Sequence, residues 1–325
     1  MPLYLKNIWL IFFLSLKSWK GLEIMKKILI TGASGFIGNK LARFFLTKGH
    51  PVVGLGTSIS HPLSKFSPDF EWVSADTTLA GDWQAHVKAA DIVINLAGRN
   101  IFRYWTKKYK QAVYDSRILT SRNLVNAIEP GAGQTLLTTS AVGIYGDRGE
   151  DELTEASAPG ESFLARVCTD WEREGLRAKE KGARVAVMRF GVVLGDKGAL
   201  SLMAPAFRLF AGGPLGNGRH WFPWIHIDDL IRAAGFILEN EKLEGSFNFT
   251  GKVPVRQKDF AKALGRALNR PAFIPAPAFL VRAVMGELGA ALLESQKAIP
   301  RHLLDAGYDF KFTDVGSALE DVFNK

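Results

Sequence analysis

A doubly wound α/β fold on a parallel sheet, with a smaller, mostly helical second lobe, is predicted by three features of the sequence. Short apolar, β-branched runs alternate with amphipathic helical stretches from residue 28 to residue 190. The first of these runs ends in glycines spaced three apart, at 32, 35 and 38. Beyond residue 191 the punctuation changes to glycine, proline and aromatic clusters, the mark of a second unit. The expected division is residues 1–24 as an extension outside the fold, 25–190 as the first domain and 191–325 as the second lobe, with some strands or helices returning to the first.

The first element carries most of the argument. Ile28 to Thr31 reads as a strand, and Asn39 to Leu46 is apolar at helical spacing. Between them lies Gly32-Ala33-Ser34-Gly35-Phe36-Ile37-Gly38. Gly32 permits a sharp turn, Gly35 lets the backbone approach a pyrophosphate, and Gly38 seats the helix close on the strand. The helix start offers free N–H groups and a positive dipole to phosphates, with Ser34, Phe36 and Ile37 in the same loop. This layout predicts a bound dinucleotide.

Composition narrows the class. The 325 residues are 47% hydrophobic and 22% charged, so a packed globular protein is expected. The net charge of +9 comes from scattered basic residues, with one short cluster at Arg103, Lys107, Lys108 and Lys110. No nucleic-acid reader motif accompanies it, so solvated helix faces are the reading and no nucleic-acid partner is expected. The single cysteine, Cys168, excludes an internal disulfide framework and fits a reducing, cytoplasmic compartment. Near the N-terminus, Ile8 to Leu14 is strongly apolar but too short to span a bilayer, and no small-residue cleavage site follows. Stable membrane insertion is not expected; an interfacial anchor is the alternative reading of residues 1–24.

Gly49 to Gly56 supplies a turn and a second strand. An acidic residue at its end would bind the ribose 2′-hydroxyl and select NAD. Here Thr57-Ser58-Ile59-Ser60 follows, with His61 and Lys65 nearby, so a 2′-phosphate and hence NADP is expected, NAD less so. Phe70 to Asp76 reads as a third strand ending in an acid, Asp76, which either accepts from the adenine amino group or caps a helix or turn. Ala90 to Gly98 reads as a buried parallel strand running into small residues, which let a cofactor ribose lie against backbone. Residues 105–128 have helical periodicity and carry Arg117 and Arg122. Strands at 134–141 and 184–190 bracket a helix over 163–181. In the second lobe, a glycine loop (212–219) leads into the aromatic-rich stretch 220–229, where Asp228 is expected to cap a helix.

Together these blocks resemble the extended short-chain dehydrogenase/reductase superfamily, and within it the atypical "epimerase family protein" branch of the NAD(P)-dependent epimerase/dehydratase group. The matching blocks are 31–38, 93–98, 115–117, 140–146, 189–195, 212–219, 224–229 and 307–310, and they cover residues 25 to about 325. The resemblance implies an NADP(H)-binding Rossmann domain with a C-terminal substrate lobe; a homodimer is expected by superfamily analogy alone. Enzymes of the superfamily use a Tyr-x-x-x-Lys pair and a Ser or Thr hydroxyl for proton transfer. Here the alignment puts Phe163 at the tyrosine, Val167 at the lysine and Ala141 at the hydroxyl. Phenylalanine cannot transfer a proton and valine cannot tune one, so the usual relay is absent.

Two readings follow. In the first, the chain is an oxidoreductase or epimerase-like enzyme acting on a carbonyl compound or nucleotide sugar with relocated acid–base groups. Ser140, Tyr145 and His226 are the catalytic candidates, and Arg166, Arg219 and Trp224 the substrate contacts. The cofactor contacts expected are Gly32, Ser34, Gly35, Phe36, Ile37, Gly38, Thr57, Ser58, Asp76, Leu96, Ala97, Gly98 and Arg117, and no metal is expected. In the second, the chain is a non-catalytic NADP(H)-sensing or interaction module, a role linked in some relatives to cell division.

Overall fold

The computed structural model describes residues 25–65 and 67–324; the expected extension, residues 1–24, lies outside the described residues. The strands in chain order begin with β1 (Ile28–Thr31), β2 (Val52–Gly56), β3 (Phe70–Ser74), β4 (Ile92–Asn95) and β5 (Thr135–Ala141). Next come β6 (Glu152–Leu153), β7 (Arg184–Phe190), β8 (Val192–Leu194), β9 (Trp221–Phe222) and β10 (Trp224–His226). The last are β11 (Gly245–Phe249), β12 (Val255–Arg256) and β13 (Lys297–Ala298). The helices begin with α1 (Phe36–Thr47), α2 (Gln84–Lys88), α3 (Lys107–Ala127) and α4 (Phe163–Leu176). Helices α5 (Ala199–Arg208), α6 (Ile227–Glu239), α7 (Gln257–Ala267), α8 (Ala278–Ala291), α9 (Arg301–Asp305) and α10 (Val315–Phe323) follow.

Seven strands form one sheet in the order β11-β7-β5-β4-β1-β2-β3, every neighbouring pair parallel. The strand order reverses at β1, which lies between β2 and β4, and this opens a crevice beyond the strands' carboxyl ends. Both faces are covered, so the strands are apolar on both sides. Ile28 and Ile30 pack with Leu41 and Phe45 of α1 and with Ile231 and Ile237 of α6. Leu29, Val53 and Leu55 face Leu124 and Val125 of α3. The chain returns from the second lobe to add β11 beside β7, with Gly245 to Phe249 in register with Ala186 to Phe190.

Two helix starts differ from expectation. The periodicity from residue 105 becomes helix only at Lys107, because the Thr106 hydroxyl accepts the Tyr109 N–H and so caps it. The helix expected to be capped by Asp228 begins at Ile227, capped by His226, whose Nδ1 accepts the Asp228 N–H. The second lobe has its own core, in which Leu200, Phe207, Trp224, Phe260, Leu264 and Leu319 meet.

Candidate functional site

The crevice floor is built where β1 and β4 end side by side. Gly32 turns the chain at φ +68°, and a Cβ there would lie 3.0 Å from the Leu96 carbonyl oxygen. Gly38 is closer still: a Cβ would meet the Gly32 oxygen at 2.4 Å and Ala33 Cα at 2.8 Å, so only glycine lets α1 sit this deep. Gly35 is the helix N-cap and supplies no side chain, and the first turn carries no acidic residue. The opening N–H groups of α1, around Phe36 and Ile37, therefore face the crevice with the positive end of the helix dipole. One hydroxyl, missed by sequence reasoning, ties the floor together. Thr31 Oγ1 donates to Asn95 Oδ1 at 2.7 Å and accepts the Leu96 and Ala97 N–H groups at 3.1 and 3.2 Å. Asn95 Nδ2 in turn donates to Ser121 Oγ on α3.

At the far end of β2, Thr57 and Ser58 are exposed and no carboxylate stands on the strand's end. Ser34 Oγ reaches across to Gly56, within 3.1 Å of where a Cβ would sit. Arg43 lies nearby on α1, its Nε donating to Asn39 Oδ1, and Asn39 also pairs with His61. His61 is buried and stacked on Trp72 with ring centroids 4.9 Å apart. Burial holds its pKa below the ordinary histidine value, so the ring sits neutral. Asp76 Oδ1 accepts from both Thr78 N and Thr78 Oγ1, the turn-capping alternative of its two expected roles.

The chemistry end of the crevice corrects several expectations. Val167 is buried, and Phe163 packs edge-on against Trp105 with the Lys110 ammonium 4.6 Å above its ring. Ser140 is buried because its strand position turns it towards α4, beside the Cys168 thiol. Burial pushes that thiol up to about 11, which keeps it protonated and unreactive. Tyr145 is buried completely. Its hydroxyl donates to Asn248 Oδ1 at 2.7 Å and accepts from Arg189 at 2.9 Å, while Arg189 makes a two-pronged pair with Glu172. Burial and the Glu155 charge outweigh the Arg189 and Asn248 contacts and raise the Tyr145 pKa, so it is a neutral strut of the interior, not an acid facing substrate.

His226 is buried in the second lobe's core, where it caps α6 and packs on Phe312. Its Nε2 lies 3.4 Å from Asp321 Oδ2. The neighbouring Asp228 is paired to Lys311 at 2.7 Å. Trp224 is likewise core, its ring filling the space above Gly251. Arg166 and Arg219 are exposed: the Arg166 guanidinium donates to the Glu161 carbonyl, and Arg219 sits on the glycine loop with its carbonyl bound by Arg256. Of the three expected substrate contacts, Trp224 is therefore an interior residue and the two arginines are exposed, each tied to its own local partner.

What lines the open space near Phe163 is a different set. A cavity of about 350 Å³ is bounded by Lys107, Lys110, Gln111, Tyr114, Phe163 and Glu287. Lys110 Nζ meets Glu287 of α8 at 2.6 Å, bridging the two lobes across the mouth, and the Tyr114 hydroxyl donates to Asp170. Lys110 was visible only as part of a basic cluster, and nothing in the sequence pointed to Glu287. A second acidic group lies where the lobes meet. Burial, together with the charge of Asp147, raises the Glu294 carboxyl to about 7, against an N–H donated by Gln296.

Comparison with known proteins agrees with this geometry. Residues 28–249 match the model of the NAD dependent epimerase/dehydratase family, and residues 276–322 match a domain of unknown function, DUF1731. The chain is 35% identical over 298 residues to the epimerase family protein YfhF of Bacillus subtilis, covering 91% of this chain and 97% of that one. It is 36% identical over 305 residues to the chloroplastic epimerase family protein SDR39U1 homolog of Arabidopsis thaliana, covering 92% and 87%. The crystal structure of human epimerase family protein SDR39U1 (isoform 2) with NADPH superposes with a TM-score of 0.80 at 32% identity, covering 92% of this chain and 99% of that one.

Proposed function

The chain belongs to the NAD dependent epimerase/dehydratase family, and from that premise we propose that it binds NADP(H) and acts as an oxidoreductase or epimerase-like enzyme on a small carbonyl compound or nucleotide sugar. The observation that carries the reading is the crevice itself. Three glycines bring an uncapped helix start against the ends of β1 and β4, and no carboxylate meets the ribose at the end of β2. A 2′-phosphate fits the hydroxyls of Ser34, Thr57 and Ser58, with Arg43 close by. The human relative's structure with NADPH supports the same choice.

When bound, the nicotinamide supplies a hydride or accepts one. The chain's own part is to hold the pyrophosphate on α1, seat the riboses on Leu96-Ala97-Gly98, and present substrate beside Phe163. The cavity there, with Lys107, Lys110, Gln111 and Tyr114 on its wall, supports a polar or anionic substrate. The reading includes a cytoplasmic location, in keeping with the buried thiol of Cys168. No helix among the described residues is long and apolar enough to cross a membrane.

A second reading, the non-catalytic NADP(H) sensor, is favoured by one observation: Ser140, Tyr145 and His226 are all buried while Phe163 and Val167 cannot relay a proton. The test is NADPH titration followed by cofactor oxidation with a panel of carbonyl compounds and nucleotide sugars. Binding with turnover supports the enzyme. Binding without turnover across the panel supports the sensor. The folded Gly35→Asp variant, which brings a carboxylate against the pyrophosphate, is expected to lose NADPH binding, and unchanged affinity would refute the loop assignment.

A further inference from the structure

Large hydrophobic side chains left in water cluster on the second lobe. Leu209 and Phe210 follow the end of α5, Phe273 and Ile274 lie in the strap between α7 and α8, and Phe279 and Leu280 open α8; all six are exposed. The chain brings these places together. The Ile274 N–H donates to the Gly212 carbonyl at 3.2 Å, the Ala276 N–H to the Pro214 carbonyl at 2.9 Å and the Gly216 N–H to the Ala276 carbonyl at 2.8 Å, so the two segments run side by side. The Arg270 guanidinium stands 4.9 Å over the Phe210 ring. Phe210 itself holds φ +61°, a left-handed conformation uncommon for an aromatic residue. Helix α8 shows the same mismatch with water. Up to its kink at Gly286 (φ +59°) Arg282 is its one charged residue, yet only Val281 of residues 278–285 is buried. A helix apolar all round is ordinarily enclosed by protein or set against lipid, and a contiguous exposed apolar face marks a docking surface.

Charge identifies the occupant. No acidic residue occurs between Asp196 and Asp228, or between Asp259 and Glu287, the two stretches that build this face. Arg208 precedes Leu209, Arg270 covers Phe210, and Arg282 lies one helical turn beyond Phe279. Among the described residues none of the three pairs with a carboxylate, unlike Arg122, Arg189 and Arg256 elsewhere in the chain. A second copy would bring this face against itself, because a two-fold interface is self-complementary, and would set like charge on like charge. Lipid suits the backbone as well. Pro271, Pro275 and Pro277 have no N–H to leave unpaired, and the N–H groups of Ile274 and Ala276 are already bonded within the protein, so the strap can enter an apolar phase at small cost.

We propose that this face docks the protein on an anionic bilayer: the side chains at 209–210, 273–274 and 279–280 seat at the edge of the acyl region while Arg208, Arg270 and Arg282 meet lipid phosphates. The attachment is peripheral, uses no residue of the cofactor crevice and does not depend on the NADP(H) reading.

The test is sedimentation of the full chain with vesicles of phosphatidylcholine alone and with vesicles in which half the lipid is phosphatidylglycerol. Binding is expected to the mixed vesicles, falling as salt is raised, and weaker by about tenfold or more on phosphatidylcholine alone. Arg208→Gln combined with Arg282→Gln should weaken it by about tenfold or more, since each cation near an anionic surface contributes about fivefold. Phe273→Ser combined with Phe279→Ser should weaken it by about tenfold or more through lost apolar contact. Both rings are 74% exposed and both arginines stand in water, so each double variant should keep the wild-type melting temperature. No binding to the mixed vesicles overturns the proposal and leaves the face to an acidic protein partner. Equal binding to the two kinds of vesicle overturns it as well, and so does unchanged binding by either folded variant. That last result would place the attachment on the apolar run Ile8–Leu14, which every variant retains.

Discussion

Replacing Tyr145 by phenylalanine separates a structural tyrosine from a catalytic one. The hydroxyl makes two buried hydrogen bonds, one to Asn248 and one from the charged Arg189. Asn248 is itself fully buried, and its Nδ2 is committed to the Leu153 and Ile299 carbonyls. Loss of the phenol proton therefore strips the fully buried Asn248 Oδ1 of this donor. Arg189 keeps Glu172 and the Glu155 carbonyl, so its share of the loss is smaller. An unsatisfied buried acceptor costs about 1–3 kcal/mol and the lost bond to a charged donor about 1 more, for about 2–4 kcal/mol in all. At about 2 °C per kcal/mol for a chain of this size, the melting temperature should fall by about 4–8 °C. NADPH affinity, measured on the same folded samples, should be unchanged. Unaltered melting together with lost cofactor oxidation would show that Tyr145 faces the reaction after all, and the buried-strut reasoning would be wrong.

Two further substitutions probe other parts of the account. Gly38→Ala forces a methyl group into backbone at 2.4 Å, so α1 must lift off β1, and NADPH affinity should fall by about tenfold or more in a protein whose circular dichroism is preserved. Equal affinity would show that the close seating of α1 does not matter to the cofactor. Glu294→Gln tests the raised carboxyl at the lobe junction. With its folded pKa raised from 4.5 to about 7, the wild-type group binds its proton more tightly when folded, so its contribution is fully present below about pH 4.5 and is lost as pH rises through 7. After allowance for partial exposure, the glutamine variant should gain about 1–2 kcal/mol over wild type at pH 8 and nothing at pH 4. Parallel melting-versus-pH curves for the two proteins would contradict the assignment.

How far the sequence could be read differed from one feature to another, for physical reasons. The glycine loop was legible because a turn at φ +68° and a backbone contact at 2.4 Å leave glycine as the only residue that fits. The loss of the proton relay was legible because Phe163 and Val167 lack the atoms it requires. The replacements were not legible. Ser140 and Tyr145 lie close to the sheet edge in sequence, but which way each side chain points depends on packing against α4 and on Arg189, the partner of Ser140 in the β5–β7 register. His226 looked like a site histidine beside Trp224, whereas the local geometry uses its ring to cap α6. Lys110 and Glu287 are 177 residues apart, and only the docking of α8 brings them together. The Thr31–Asn95–Ser121 chain escaped notice because each member reads as an ordinary polar residue on a strand or helix.

The most direct test of the central claim is a calorimetric titration of the purified chain with NADPH and, in parallel, with NADH. The account predicts saturable binding of one NADPH per chain, with NADH weaker by tenfold or more for want of the 2′-phosphate. Equal affinity for the two would contradict the reading of the β2 end, and no binding of either would contradict the crevice as a cofactor site.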